Sequence, residues 1–161
     1  MIRVAVIVVA CYLIITGCSR TTKCEKEVYL LPKGFHGKVM IFFDQPDGQE
    51  KLWEGDARLY KIPPGGLMKS RFPKNGGCMN DKRMAFYYLD SLGKRIPLLY
   101  FLDMAGTTIP PDSNYVVFSL LSNKGSRNPF VIHLVGTALE FTELTRDVNR
   151  HKPEDVLKSI P

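Results

Sequence analysis

The sequence predicts a mainly β protein, an antiparallel β-sandwich of the transthyretin-like or immunoglobulin-like kind, followed by a short C-terminal helical segment. Three observations predict it. Short apolar, β-branched and aromatic runs recur through the chain, each stopped by a cluster of Gly, Pro, Asn or Asp. The period changes from that of strands to that of helices only after residue 136. The chain has 161 residues, 45% of them apolar and 11% aromatic, which suits one domain with a core of its own.

Val28 to Leu31 opens the body as an apolar run stopped by Pro32-Lys33-Gly34. Residues Gly37 to Phe43 are rich in β-formers, and alternation puts Val39, Ile41 and Phe43 on one face. Asp44-Gln45-Pro46-Asp47-Gly48 is dense turn chemistry. Leu52 to Glu54 and Ala57 to Ile62 read as the next strands, and Pro63-Pro64-Gly65-Gly66 turns the chain again. Met84 to Leu89 and Ile96 to Leu102 flank Asp90-Ser91-Leu92-Gly93 as a hairpin. Tyr115 to Leu121 and Pro129 to Val135 flank Ser122-Asn123-Lys124-Gly125-Ser126 as another. Thr137-x-x-Glu140 has the form of a capping box, with Ala138, Phe141, Leu144 and Val148 at helical spacing behind it. Pro153-Glu154-Asp155 has the Pro and acids of a second helix start. No change of composition marks a second domain, so residues 27–161 read as one unit.

Residues 1–17 have a different character. Arg3 is the single charge before an apolar run from Val4 to Ile15. A membrane-spanning helix needs about 20 apolar residues, and this run is shorter. A positive start, such a run and the small Thr16 and Gly17 at its end describe an export signal. Ile15-Thr16-Gly17-Cys18 resembles the lipobox of bacterial lipoproteins, in which an aliphatic and two small residues precede a Cys. The resemblance implies that the Cys18 sulfur takes diacylglycerol as a thioether. Cleavage then leaves Cys18 as the first residue of the mature protein, with palmitate-type chains holding it to the membrane. One buried chain holds weakly and two or three hold stably. The alternative is a plain signal peptide that contains a Cys. Ser19 stands where the resemblance would place Asp for inner-membrane retention, which favours the outer membrane, on its periplasmic or cell-surface side. Residues 18–26 read as a tether.

Four cysteines are present. With Cys11 lost and Cys18 acylated, Cys24 and Cys78 remain in an oxidising compartment, and an even remainder suggests a bridge between them. Two separate thiols are the alternative.

Tyr29-x-x-Pro32-x-Gly34-Phe35-x-Gly37-x-Val39, a Gly48 turn and Tyr60-x-Ile62-Pro63-x-x-Gly66 resemble an uncharacterised family of Bacteroidetes-type lipoproteins, domains of unknown function. The likeness spans roughly residues 27 to 100. A fainter one, to carboxypeptidase-regulatory-type and transthyretin-type sandwiches, rests on the strand that ends in Ile62-Pro63 before a Gly turn. Both resemblances imply a fold, the first also an address, and neither carries an activity.

Local chemistry motifs are missing. There is no Gly-x-Ser-x-Gly elbow, no His-Glu-x-x-His zinc motif and no phosphate loop. His133, inside Phe130 to Val135, reads as a core or sheet-face histidine, while His36 falls in a turn and His151 among charges. Asp44-x-x-Asp47-Gly48-x-Glu50 lacks the spacing of a calcium loop and reads as a hairpin turn. Trp53, Tyr60, Tyr87, Tyr88 and Tyr100 read as packing rather than as a binding platform.

The formal charge is +6, spread along the chain, which argues against nucleic acid as a partner. The densest basic stretch holds Lys69, Arg71, Lys74, Lys82 and Arg83, a candidate contact for anionic lipid or acidic glycan, or simply a solvated loop. The expectation is a membrane-anchored module without catalysis, cofactor or metal, its partners being membrane lipid through Cys18 and an envelope protein or glycan. An envelope hydrolase with residues scattered on loops, or a small-ligand or metal-binding lipoprotein, are the rivals.

Overall fold

A computed structural model describes residues 24–75, 83–100, 116–122, 128–137, 139–148 and 150–161. The signal segment, Cys18, Cys78 and Lys82 lie outside the described residues, as do Leu102, Tyr115 and Ala138.

Strand β1 (Lys26–Pro32) is the middle of a five-stranded sheet, sheet A. It lies between β4 (Ala57–Lys61) and β6 (Met84–Leu89), parallel to both. The edges of sheet A are β3 (Leu52–Glu54), antiparallel to β4, and β7 (Arg95–Pro97), antiparallel to β6. Sheet B has the order β5 (Leu67–Lys69), β2 (Gly37–Phe42), β10 (Phe130–Gly136), β9 (Val116–Ser122), β8 (Leu99–Tyr100). There β2 pairs antiparallel with β10 and parallel with β5. The C-terminal helices are α1 (Phe141–Val148) and α2 (Pro153–Ser159).

The sandwich and its helical end are those the strand rhythm predicts, but the pairing is mixed. The reason lies in the connections. After β1 the chain crosses to sheet B for β2, returns for β3 and β4, and crosses again for β5. β4 thus meets β1, and β5 meets β2, after a crossing rather than a hairpin, which is the connection a parallel pair needs.

The alternation of β2 and β10 decides the layering. Val39, Ile41, Phe43, His133 and Val135 point between the sheets, against Tyr29, Leu31, Tyr60, Ile62, Phe86 and Tyr88. Met40, Phe42, Phe130, Ile132 and Leu134 point the other way, against Phe141, Leu144, Val148, Val156 and Leu157 of the helices. Sheet B, buried on both faces, therefore reads as continuous apolar runs rather than clean alternation.

Three details differ from the sequence reading. The stretch from Ile96 is two short strands in different sheets, since Leu98 bonds its N–H to Phe86 O and Leu99 then joins β9. The helix starts at Phe141 rather than at Thr137. Glu140 does reach back to Thr137, accepting from its backbone N–H at 2.8 Å and its hydroxyl at 3.1 Å. Lys26, assigned to the tether, opens β1. Gly66 is required in its turn: its φ is +72°, and a Cβ there would run into the Lys38 carbonyl oxygen.

Candidate functional site

The described interior holds four buried polar or charged residues: Glu27, Arg58, Ser70 and His133. Two of them stand level on neighbouring parallel strands, since Glu27 of β1 is in register with Arg58 of β4. Alternation turns Glu27 to the same side as Tyr29 and Leu31, and Arg58 to the same side as Tyr60 and Ile62. The result is a polar cluster at the end of the sandwich where β1 begins.

The Glu27 carboxylate accepts from the Tyr29 hydroxyl at 2.8 Å and from the Tyr60 hydroxyl at 3.3 Å, one phenol on each oxygen. Burial holds this carboxyl above the usual carboxylate range, against the pull of the hydrogen bonds and of Arg58. Burial and the neighbouring carboxylate raise both phenols. The Arg58 guanidinium lies 4.9 Å from the Phe72 ring centroid, meets the Glu25 carboxylate at 2.5 Å and donates to Pro73 O. The Asn75 side-chain amide closes on both backbone groups of Glu25. It accepts from Glu25 N–H at 3.2 Å and donates to Glu25 O at 2.7 Å, as a neighbouring strand would. Arg83 donates to Cys24 O at 2.5 Å.

A carboxyl held above its ordinary range beside phenols has the electrostatics of a general acid. Its geometry is that of a closed network. Glu27 is 6% exposed, and both of its oxygens are already engaged by tyrosines. No described cavity opens onto it. His133 is likewise sealed: its ring packs edge-on to Tyr29 and Phe86, and burial pushes its pKa down to about 3, so it is neutral. Among the described residues no three His, Cys, Asp or Glu side chains converge on a metal position.

The described openings are on the surface. One cleft of about 480 Å³ lies between β5 and the end of the chain, with Leu67, Met68, Ile160 and Pro161 for walls and Lys61 at its rim. A second, about 400 Å³, runs between β2, β10 and the helices, with Arg150, His151 and Lys152 along one side.

Four residues of the basic stretch, Lys69, Arg71, Lys74 and Arg83, are among the described residues. Lys69 and Arg71 belong to the β5 side of sheet B, where Lys69 meets Asp47 at 2.9 Å and Arg71 meets Glu50 at 3.4 Å. Lys69 in turn holds the Asp47 carboxyl below its usual range. Lys74 is half-buried beside Asn75, and Arg83 stands at the start of β6 in sheet A. Cys24 is in a disulfide. Sequence reading named none of Glu27, Arg58 and Asn75. The legible signal was an acid and an arginine each falling on the apolar phase of its strand.

Among solved structures, the chain is similar to that of a candidate lipoprotein from Bacillus anthracis, with a TM-score of 0.54 and 11% identity. The match covers 84% of this chain and 96% of the other, and at that identity it speaks for the fold alone. No curated protein is significantly similar in sequence. No described helix is long and apolar enough to cross a membrane. A family model matches residues 23–125, from just before the clamped Cys24–Glu25 segment through β9 and ending before β10, and the chain therefore belongs to the DUF6843 family, a family of unknown function.

Proposed function

We propose that this protein is an envelope lipoprotein, anchored through acylated Cys18, whose sandwich binds or scaffolds an envelope protein or glycan and performs no chemistry of its own. The observation that carries the module reading is the closed interior. Among the described residues its ionisable groups are spent on one another or packed among rings, while the described openings are surface clefts. A hydrolase needs the reverse, a convergent pocket reaching its acid or base. The lipobox resemblance carries the anchor reading, and the likeness to a candidate lipoprotein of the same fold supports it. Ser19 after the anchor favours the outer membrane.

The test has two parts. Labelled palmitate should enter the wild type and Cys24→Ala, and should be absent from Cys18→Ala. Crosslinking of the lipidated protein in its own envelope should then capture a discrete partner. Label retained in Cys18→Ala would move the anchor. Turnover of a substrate by the purified domain, abolished by Glu27→Gln, would replace the module reading with an enzyme.

A further inference from the structure

We infer that the cleft between sheet B and the two helices binds the anion of a single-chain fatty acid, its hydrocarbon laid over Met40 and Ile132 and its carboxylate held by Arg150 and Lys152. The inference stands on described residues alone and does not depend on the anchor at Cys18.

Two strands and two helices wall the cleft. Met40 of β2 and Ile132 of β10 are cross-strand neighbours on the outward face of sheet B, with Phe130 two residues before Ile132 on the same face. Val148, at the end of α1, and Val156 of α2 close over them. The space is about 400 Å³, near the small end of ligand pockets, which run from about 300 to 1,000 Å³.

Hydrogen bonding decides what fits. β2 is paired on both edges, with β5 and β10, and β10 is paired on both edges, with β2 and β9. Their backbone N–H and C=O groups are therefore spent within the sheet, and the floor offers only the side chains of Met40, Phe130 and Ile132. A peptide laid on that floor would bury its own backbone groups without partners. A hydrocarbon chain has none to satisfy, and each methylene it buries multiplies affinity about fourfold.

The rim supplies the sign of the charge. Lys38, Arg150, His151 and Lys152 line the cleft beside its apolar residues, and no carboxylate does. Lys38 is spent on Asp147, at 3.3 Å. Arg150 and Lys152 are exposed and make no ion pair among the described residues. Glu154 and Asp155 follow Lys152 in the chain, but neither lines the cleft. The planar fork of a guanidinium matches a carboxylate, so Arg150 can take the head and Lys152 add its charge. Apolar walls with cations along one side call for an anionic amphiphile. A space of this size takes one chain with a small head, not a two-chain lipid.

Photolabelling of the mature protein on phosphatidylcholine vesicles tests this. The probe is dodecanoate with a diazirine at its chain end, and the adducts are mapped by peptide mass spectrometry. They should concentrate on the peptides that hold Met40, Ile132 and Val156. Excess dodecanoate should abolish them. Dodecyltrimethylammonium, the same chain under a cationic head, should not. Arg150→Gln with Lys152→Gln should lower labelling about tenfold through the lost charge-assisted bonds. Lys158→Gln, on α2 but not lining the cleft, should leave it unchanged. The competition between head groups uses the wild type alone, so it decides even where the double variant unfolds. Adducts scattered over the surface, equal displacement by the cationic amphiphile, or full labelling of the double variant overturns the inference. Displacement by dodecyl phosphate at far lower concentration than by dodecanoate overturns the carboxylate head.

Discussion

Arg95 and Glu54 stand on the two opposite edge strands of sheet A and close on each other as a bidentate ion pair, Nη1 to Oε1 at 2.7 Å and Nη2 to Oε2 at 2.5 Å. Register puts Glu54 level with Ala57 and Lys26, and Arg95 level with Leu89 and Pro32, so the pair joins opposite corners. In a flat sheet these corners would be separated by four strand spacings of about 4.8 Å each and by most of a strand length besides. Only strong twist and coiling bring them together. The guanidinium also lies 5.5 Å from the Tyr87 ring centroid. Sheet A has no helix packed on its outward face among the described elements, and this clasp spans it.

The clasp is half-exposed, so its worth is modest. A double-mutant cycle on Arg95→Ala and Glu54→Ala should give a coupling of about 0.5–1 kcal/mol in urea unfolding, falling in high salt. The hydrogen bonds from Arg95 hold the Glu54 carboxyl below its usual range. A depressed carboxylate stabilises above its unfolded pKa, and the contribution is lost as pH falls through the folded value. The coupling should therefore vanish in acid. A coupling unchanged by salt and pH would mean that the two residues act separately.

His133 makes the fold sensitive to acid in a different window. Its pKa is about 3 in the folded protein against 6.5 ordinarily, because burial disfavours the imidazolium. The unfolded chain then binds more protons than the native one between those values, so stability falls as pH drops below 6.5. The loss from this residue should reach about 2 kcal/mol at pH 5. His133→Leu keeps an apolar body of similar size and should flatten that slope. An unaltered slope would place the acid sensitivity elsewhere.

Glu27 acts with the opposite sign. Its folded pKa is raised, so the stability tied to its proton is complete below the ordinary carboxylate range and is lost as pH rises through the folded value. Glu27→Gln should remove that loss at rising pH. Glu27→Ala leaves the Tyr29 and Tyr60 hydroxyls without their acceptor in the core, and should cost about 2–3 kcal/mol at neutral pH. A Glu27→Ala protein as stable as wild type would show that water replaces the carboxylate.

Much of this was legible in the chain. The alternation of Val39, Ile41 and Phe43 announces the inter-sheet core, and those three side chains are buried there. Phe141, Leu144 and Val148 announce the helix stripe that covers Met40 and Phe42. Strand direction was not legible, because a crossover and a hairpin both look like a run, a turn and a run. Leu98, in the middle of a continuous apolar stretch, gives no sign that the chain changes sheets beside it. The polar cluster was half legible. Glu27 falls on the apolar phase of its strand, but its partners Arg58 and Asn75 are 31 and 48 positions away, and single-chain periodicity carries no register between strands.

Cys78 is the expected disulfide partner of Cys24. Cys24 is disulfide-bonded, and the other cysteines of the chain are Cys11, Cys18 and Cys78. If export removes Cys11 and lipid occupies Cys18, one candidate is left. The described residues that flank it in sequence point the same way: Asn75 is bonded to Glu25, and Arg83 to Cys24 itself. Non-reducing peptide mapping of the mature protein should return a Cys24–Cys78 cross-link. In the chain-entropy picture, closing a loop of that length stabilises by about 4 kcal/mol, less any native strain. Reduction should therefore lower the unfolding midpoint, and Cys78→Ser should lower it as far and become insensitive to reductant. The Asn75 and Arg83 side chains hold Glu25 and Cys24 without covalent bonds, so Asn75→Ala and Arg83→Ala should each make the bridge easier to reduce. Two alkylatable thiols in the unreduced mature protein would remove the bridge, and the hydrogen bonds on Glu25 and Cys24 would then be all that holds this segment to the body.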